Sequence, residues 1–214
     1  MAKDEKEGAS IGSAASAAGA IPLGTPLTAR QEVVNVDLGN PFRLRCGDDW
    51  CEIANWDPHN DGTFMMQYMP QSVKVVIFKQ ILTSVLDTVV LQKAGNSPKE
   101  CNIPVTALNL NINKLQTVNL ELFKPFKQLI DFALSFNRIQ LLVGRFESIT
   151  LKYLFLENNQ MVHLNLCQWN LPSLMWLFVS RNSLSEQPRC LADNLPMLTK
   201  LELSGNHYTH FDIA

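Results

Sequence analysis

"LKYLFLENNQM" (residues 151–161) is apolar at its first, fourth, sixth and eleventh positions and has an asparagine at its ninth. The same template fits four other segments: "VTALNLNINKL" (105–115), "LIDFALSFNRI" (129–139), "LMWLFVSRNSL" (174–184) and "LTKLELSGNHY" (198–208). The ninth-position asparagines are Asn113, Asn137, Asn159, Asn182 and Asn206, at intervals of 24, 22, 23 and 24 residues. Because the asparagine and the apolar positions recur together, a structural repeat organises this part of the chain.

The template also predicts the fold of each repeat. Alternation around the fourth and sixth positions indicates a short strand with one buried face, and a period of about 20 to 29 residues with the pattern L-x-x-L-x-L-x-x-N is typical of a leucine-rich repeat. We therefore expect an α/β solenoid: a leucine-rich-repeat horseshoe with a parallel concave β-sheet and an irregular or short-helical convex side. Each template asparagine is expected to point inward and bond turn backbone groups. Phe126 and Phe146 are expected in the core on the convex side.

The region before the repeats divides into two parts. Residues 1–31 consist largely of Gly, Ala, Ser, Thr and Pro after a short charged start, so we expect a disordered tail or a leader added for expression. Residues 32–104 are expected to hold a strand-rich N-terminal cap, which covers the exposed end of the solenoid core, and a degenerate first coil. In that coil "VKVVIF" (73–78) repeats the spacing of the template's apolar positions.

The third part, residues 105–214, contains the regular repeats. The chain stops at Ala214, shortly after the asparagine of the fifth repeat and within that repeat. We therefore expect the native protein to continue into further repeats.

Four of the five cysteines are expected to form disulfides. Cys46 and Cys51 enclose the cap motif "CGDDWC", and a bridge between them would close the cap. Cys167 and Cys190 each follow a template asparagine by eight residues, so they occupy the same phase of adjacent coils and lie within bridging distance if the coils stack. The alternative is a pair of reduced thiols. Disulfides persist in oxidising compartments, which favours an extracellular protein, and Cys101 is left without an assigned partner.

The strand positions next to the buried ones are expected to face solvent from the concave sheet. In two adjacent coils they hold aromatic residues in the same register, so we expect the rings to cluster. The predicted partner-binding residues are Phe136, Tyr153, Phe155, Met175, Trp176 and Phe178, with Lys152, Glu157 and Arg181 at the rim. Asp131 and Lys200 are expected in the same charged rim. An exposed aromatic patch of this kind usually marks a protein contact. The alternative is that the stacked rings only stabilise the sheet.

Composition and motifs argue against several classes of function. The chain has 214 residues and a formal net charge of -2, which gives no general attraction to nucleic acid. Its apolar stretches are shorter than the ~20 residues of a membrane span. It contains no Gly-rich phosphate loop, no H-E-x-x-H and no C-x-x-C motif. We therefore expect a chain with no enzyme activity, cofactor, metal, nucleic-acid partner or membrane span.

Three features together carry a resemblance to a known family. They are the cap "CGDDWC" (46–51), the segment "VKVVIFKQILTSVLDTVVLQKAG" (73–95) and irregular coils such as "FALSFNRIQLL" (132–142). Over roughly residues 40–214 the chain resembles the secreted leucine-rich-repeat immune proteins of mosquitoes, of the Plasmodium-responsive leucine-rich repeat protein type. The resemblance implies a haemolymph factor that holds a complement-like thioester protein and forms a homo- or hetero-dimer through disulfides and coiled coils. This chain itself shows no coiled coil and no C-terminal cysteine cluster.

Three functions remain open from the sequence. The first is a secreted recognition or scaffold protein of innate immunity that binds a protein on its concave face. The second is the ectodomain of a cell-surface receptor, and the third is an intracellular adaptor with reduced cysteines. For the first function we expect an extracellular location. We also expect the native signal peptide to be missing from this sequence, because the N-terminal segment lacks the basic start of such a peptide.

Overall fold

The computed structural model describes residues 42–58, 71–86 and 104–209, which form a β-solenoid of about five turns with parallel sheets. Numbered along the chain, the described strands are β1 (Arg43–Cys46), β2 (Trp50–Ala54), β3 (Val75–Lys79), β4 (Val85–Leu86), β5 (Ala107–Asn109), β6 (Thr117–Asn119), β7 (Asp131–Ala133), β8 (Leu141–Val143), β9 (Phe146–Glu147), β10 (Tyr153–Phe155), β11 (Trp169–Asn170), β12 (Trp176–Phe178) and β13 (Lys200–Glu202). The predicted tail (1–31) and Cys101 lie outside the described residues.

One large sheet contains the strand of every repeat. Its order is β1-β2-β3-β5-β7-β10-β12-β13, and all neighbours are parallel except the antiparallel pair β1–β2. Template positions pair with the same positions in the next coil, as in Leu154 with Leu177. In each of the five repeats the strand consists of the third to fifth template positions. The regular stacking predicted from the asparagine spacing is therefore present.

The rest of each coil contains more strand than the irregular or short-helical side that the sequence predicts. Strands β4, β6 and β8 form a second parallel sheet, and β9 pairs with β11 in a third. The helices that lie wholly within the described residues are one 3-10 turn, Leu120–Phe123, and one four-residue α-helix, Leu191–Asn194. The α/β class is thus corrected to a β-solenoid with almost no helix. The connections between the template strands are short. Extended chain covers about 3.3 Å per residue and a helix only about 1.5 Å, so extended chain spans them with fewer residues.

The template asparagines bond to the backbone inside the solenoid. Asn159 is buried, and its Nδ2 donates to the carbonyls of Leu134 (3.1 Å), Leu156 (3.0 Å) and Glu157 (3.3 Å). Its Oδ1 accepts the N–H of Ile139 at 3.0 Å. The other four make equivalent bonds within their own coil and to the preceding coil: Asn113, Asn137, Asn182 and Asn206. This ladder satisfies turn groups that would otherwise be buried without partners.

A left-handed residue precedes each template asparagine. The φ angles are 56° at Ile112, 56° at Phe136, 54° at Asn158, 52° at Arg181 and 67° at Gly205. This conformation ends the strand and lets the next side chain turn into the core. Glycine and asparagine adopt it at little cost, whereas an isoleucine pays a steric penalty of about 1 to 2 kcal/mol.

The core is a continuous column of aliphatic side chains with an aromatic spine. The buried set includes the first, fourth and sixth template positions of the three coils that begin at Leu129, Leu151 and Leu174. Phe126 and Phe146 are both buried, as the sequence predicts for the convex side. Ring contacts continue through the core from Phe123 to Phe132 (4.4 Å), to Phe146 (6.0 Å) and to Trp169 (5.6 Å).

Both predicted disulfides are confirmed. Cys46–Cys51 joins paired residues at the end of the β1–β2 hairpin and closes the described part of the cap. Cys167–Cys190 links adjacent coils with a Cα–Cα distance of 5.0 Å. Because β2 pairs in parallel with β3, the cap hairpin continues directly into the large sheet.

Candidate functional site

The candidate site lies on the outward face of the large sheet, where β10 and β12 are adjacent. Successive side chains on a strand point to opposite faces, and Leu154 and Leu177 are buried in the core. Their neighbours on the same strands therefore face away from it. The outward residues are Tyr153, Phe155, Trp176 and Phe178, here called the aromatic patch. Trp176 is 39% exposed, and the other three rings are half-buried by one another.

The four rings are in contact. Tyr153 and Trp176 are paired residues with ring centroids 4.8 Å apart, and Phe155 and Phe178 are stacked at 5.3 Å with planes 25° apart. Trp176 also meets Phe178 edge-on at 6.1 Å. Pairs of this geometry are worth about 0.5 to 1.5 kcal/mol beyond their buried area, so the ring contacts favour this arrangement of the four side chains.

Charged side chains flank the aromatic patch on both sides. On β13, Lys200 pairs with Trp176 and Glu202 with Phe178. The Lys200 Nζ lies over the rings, 5.5 Å from the Trp176 centroid and 4.9 Å from that of Phe178. Hydrogen bonds from Ser204 lower the pKa of Glu202, which keeps that carboxyl ionised. This flank therefore carries one cation and one anion next to apolar surface.

The opposite flank is different in size and charge. Asp131 and Ala133 on β7 pair with Tyr153 and Phe155, and Ala107 on β5 pairs with Asp131. Short side chains thus stand beside large rings, and the row of Ala107, Asp131 and Ala133 along the edge of the aromatic patch is here called the recess. Burial raises the pKa of Asp131 above its usual value.

The remaining predicted site residues surround the aromatic patch without all touching it. Met175 is half-buried just before β12, Lys152 is exposed just before β10, and Arg181 is exposed in the left-handed turn after β12. The Glu157 carboxylate accepts a hydrogen bond from the Ser135 hydroxyl of the preceding coil.

Phe136 lies apart from the four rings. It is 56% exposed in the turn after β7, at a left-handed position, and makes none of the ring contacts found among the described residues. Its template position is the eighth, beyond the strand, rather than the third or fifth, and its part in partner binding stays a prediction.

Sequence reasoning gave less weight to Lys200, Asp131 and Ile112. Lys200 and Asp131 occupy the same template position as Tyr153 and Trp176, so the register of that position identifies them. Ile112 is 78% exposed and left-handed, and its signal is a large apolar residue at the eighth template position.

Comparison with models of known protein families gives no match, and comparison with curated proteins gives none either. The sequence repeat and the geometry of the coils therefore carry any assignment of family. Within the described ranges, neither helix has the length or apolar character that crossing a membrane requires.

Proposed function

We propose that this chain is a secreted leucine-rich-repeat protein of horseshoe shape that binds a protein partner through its concave face. The aromatic patch is the centre of that contact, with Lys152, Glu157, Arg181 and Lys200 at its margin. In keeping with the family that the sequence resembles, the role is recognition or scaffolding in innate immunity. The partner class is a complement-like thioester protein.

One observation supports a protein contact more than any other. Four large rings, including a tryptophan that is 39% exposed, stand together on the outward face of a sheet whose core is already complete. Exposed aromatic clusters are unfavourable in water and are enriched at the energetic centres of protein interfaces. Ring contacts that favour one arrangement also reduce the loss of side-chain entropy on binding.

The charges around the aromatic patch support the same proposal. Arg181 and Lys152 are exposed at its margin, and Lys200 lies against two of its rings. An apolar centre with a charged rim is the usual anatomy of a protein interface. The rim charges would set orientation and association rate more than affinity.

The two disulfides support an extracellular location. Each joins residues that the fold brings together, and such bridges persist in oxidising compartments. They are compatible with a secreted protein and equally with a receptor ectodomain, which would use the same concave face.

The test is a binding measurement with a purified complement-like thioester protein. Wild-type chain is compared with the double variant Phe155→Ala/Trp176→Ala, and we expect the affinity to fall at least about tenfold because two central rings are lost. The matched control is Leu141→Ala/Ile149→Ala, which removes two exposed apolar side chains outside the large sheet.

Both double variants should retain their disulfides and their circular dichroism spectra. Equal binding by the wild type and the ring variant would contradict the concave-face site. Absence of binding by the wild type would contradict the thioester partner.

A further inference from the structure

The recess beside the aromatic patch has a floor of small residues and one carboxylate. Asp131 is the middle residue of a row in which Ala107 lies on one side and Tyr153 on the other. Ala133 occupies the neighbouring row, next to Phe155. Adjacent strands are about 4.8 Å apart, so Tyr153 is the neighbour of Asp131 on the same face of the sheet in β10.

The Asp131 carboxylate is held in an unfavourable environment. It makes no ion pair or side-chain hydrogen bond with the described residues, and burial raises the pKa of Asp131. Lys152 is close in sequence to Tyr153 but is exposed and forms no ion pair within the same ranges. A partly buried anion without a compensating cation costs folding free energy, and a bound cation would recover it.

The two ends of the aromatic patch differ in how their rings are covered. At the β13 end, the chain supplies its own cation, since Lys200 lies over Trp176 and Phe178. At the β7 end, no described Lys or Arg lies over Tyr153 or Phe155. A ring face next to a carboxylate attracts a cation through both the ring quadrupole and the full negative charge.

Lys200 does not neutralise Asp131 over this distance. Their strands are three spacings apart, about 14 Å, and the Lys200 ammonium lies over Trp176 and Phe178 on β12, with the β10 rings between it and Asp131. The recess therefore keeps a local negative charge.

We propose that this recess binds an arginine side chain of the protein partner, with the guanidinium stacked on Tyr153 and paired with the Asp131 carboxylate. Arginine fits better than lysine because its planar guanidinium stacks on a ring and can donate two parallel hydrogen bonds to a carboxylate. This inference rests on the proposed function and specifies the chemistry of the partner segment that meets the β7 side of the aromatic patch.

The test uses three short peptides as probes: acetyl-Gly-Arg-Gly-amide, its citrulline analogue, which is neutral and nearly isosteric, and its lysine analogue. Each is titrated into the isotopically labelled full chain, and the amide shifts are followed by NMR. We expect the arginine peptide to bind about fivefold more tightly than the citrulline peptide, with shifts centred on β7 and β10. Lysine should fall between the two.

Three variants test the residues. Asp131→Asn should reduce binding of the arginine peptide to the level of citrulline. Tyr153→Leu should remove the preference for arginine over lysine, whereas Tyr153→Phe should keep it because the ring remains. The control Glu147→Gln neutralises an exposed carboxylate on β9, outside the large sheet, and should leave binding unchanged.

Equal binding of the arginine and citrulline peptides, shifts located away from the recess, or unchanged binding by Asp131→Asn would each overturn the proposal. Its failure is distinguishable from failure of the proposed function. If Phe155→Ala/Trp176→Ala weakens partner binding but Asp131→Asn does not, the concave-face site stands and the arginine recess is excluded. If the arginine peptide binds as expected but Phe155→Ala/Trp176→Ala does not weaken partner binding, the arginine recess stands and the concave-face site is excluded.

Discussion

The coils of β5 and β7 and those of β10 and β12 are built alike on the inside and differently on the outside. All four place a leucine or phenylalanine at the fourth template position and an asparagine in the buried ladder. Outward, β5 and β7 show alanine, asparagine and aspartate, whereas β10 and β12 show four rings. Because the coil forms with either set, folding does not require the rings. The proposed partner contact would account for their presence in two coils.

The largest expected effect tests the inside of this comparison. Leu154→Ala should lower the free energy of unfolding by about 4 kcal/mol, because a fully buried leucine leaves a cavity that the coils on both sides hold open. Phe155→Ala, one residue further along the same strand, should cost about 1 kcal/mol, since it loses mainly the stack on Phe178. Urea unfolding followed by circular dichroism measures both.

The ratio of the two effects is the informative quantity. If Phe155→Ala destabilised the chain as much as Leu154→Ala, the rings would be structural and the distinction between inward and outward positions would fail. Met197→Ala, an exposed apolar residue between two coils, serves as the control and should change stability by less than about 0.5 kcal/mol.

The inward positions are the part of the fold that sequence can predict. A leucine or phenylalanine at the fourth template position and an asparagine at the ninth predict the strand, its buried face and its parallel neighbours. The two cysteines at the same phase of adjacent coils predict Cys167–Cys190. The second and third sheets were not predicted. Segments such as Thr117–Asn119 and Leu141–Val143 are three residues long, too short for an alternation pattern to separate strand from turn.

The candidate site was predictable in register but not in detail. Equal template positions placed Tyr153 beside Trp176 and Phe155 beside Phe178, as the structure shows. The template does not state that the eighth position, where Phe136 lies, is left-handed and outside the sheet. The position of the Lys200 ammonium over the rings depends on a flexible side chain, which no repeat pattern specifies.

The second prediction concerns the ladder that all coils share. Asn159→Ala should lower the free energy of unfolding by about 2 kcal/mol, because it leaves the buried Ile139 N–H without an acceptor and removes one of the two hydrogen bonds to the carbonyls of Leu134 and Leu156. Gln160→Ala, the exposed neighbour, should have little effect. Chemical denaturation compares the two, and equal stability would show that the amide has no role in stacking the coils.

The third prediction concerns the turns after the strands. Ile112 is left-handed and mostly exposed, so Ile112→Asn should raise the free energy of unfolding by about 1 kcal/mol by relieving steric strain. Val162→Asn makes a similar change at an exposed residue outside the left-handed positions and should give no gain. Thermal unfolding measures both, and a loss of stability in Ile112→Asn would mean that this side chain packs against part of the protein.

The smallest expected effect concerns Asp131, which lies on β7 where the coils with small outward residues meet the coils with rings. Burial raises the pKa of Asp131, so the folded state binds its proton more readily than the unfolded state does. Stability is then lost as the pH rises through the raised pKa, and the loss is absent below the unfolded value of about 3.9. Asp131→Asn should therefore give a small gain in stability at pH 7 that disappears at low pH.

Urea unfolding at neutral and acidic pH measures this gain, with Glu147→Gln as the exposed control. A gain that persists unchanged at low pH would point to packing rather than charge. If Asp131 served folding alone, its replacement by Asn would not raise stability at neutral pH and also weaken arginine binding. Both effects together would mark Asp131 as a residue kept for contact at the cost of stability, as active and binding sites commonly are.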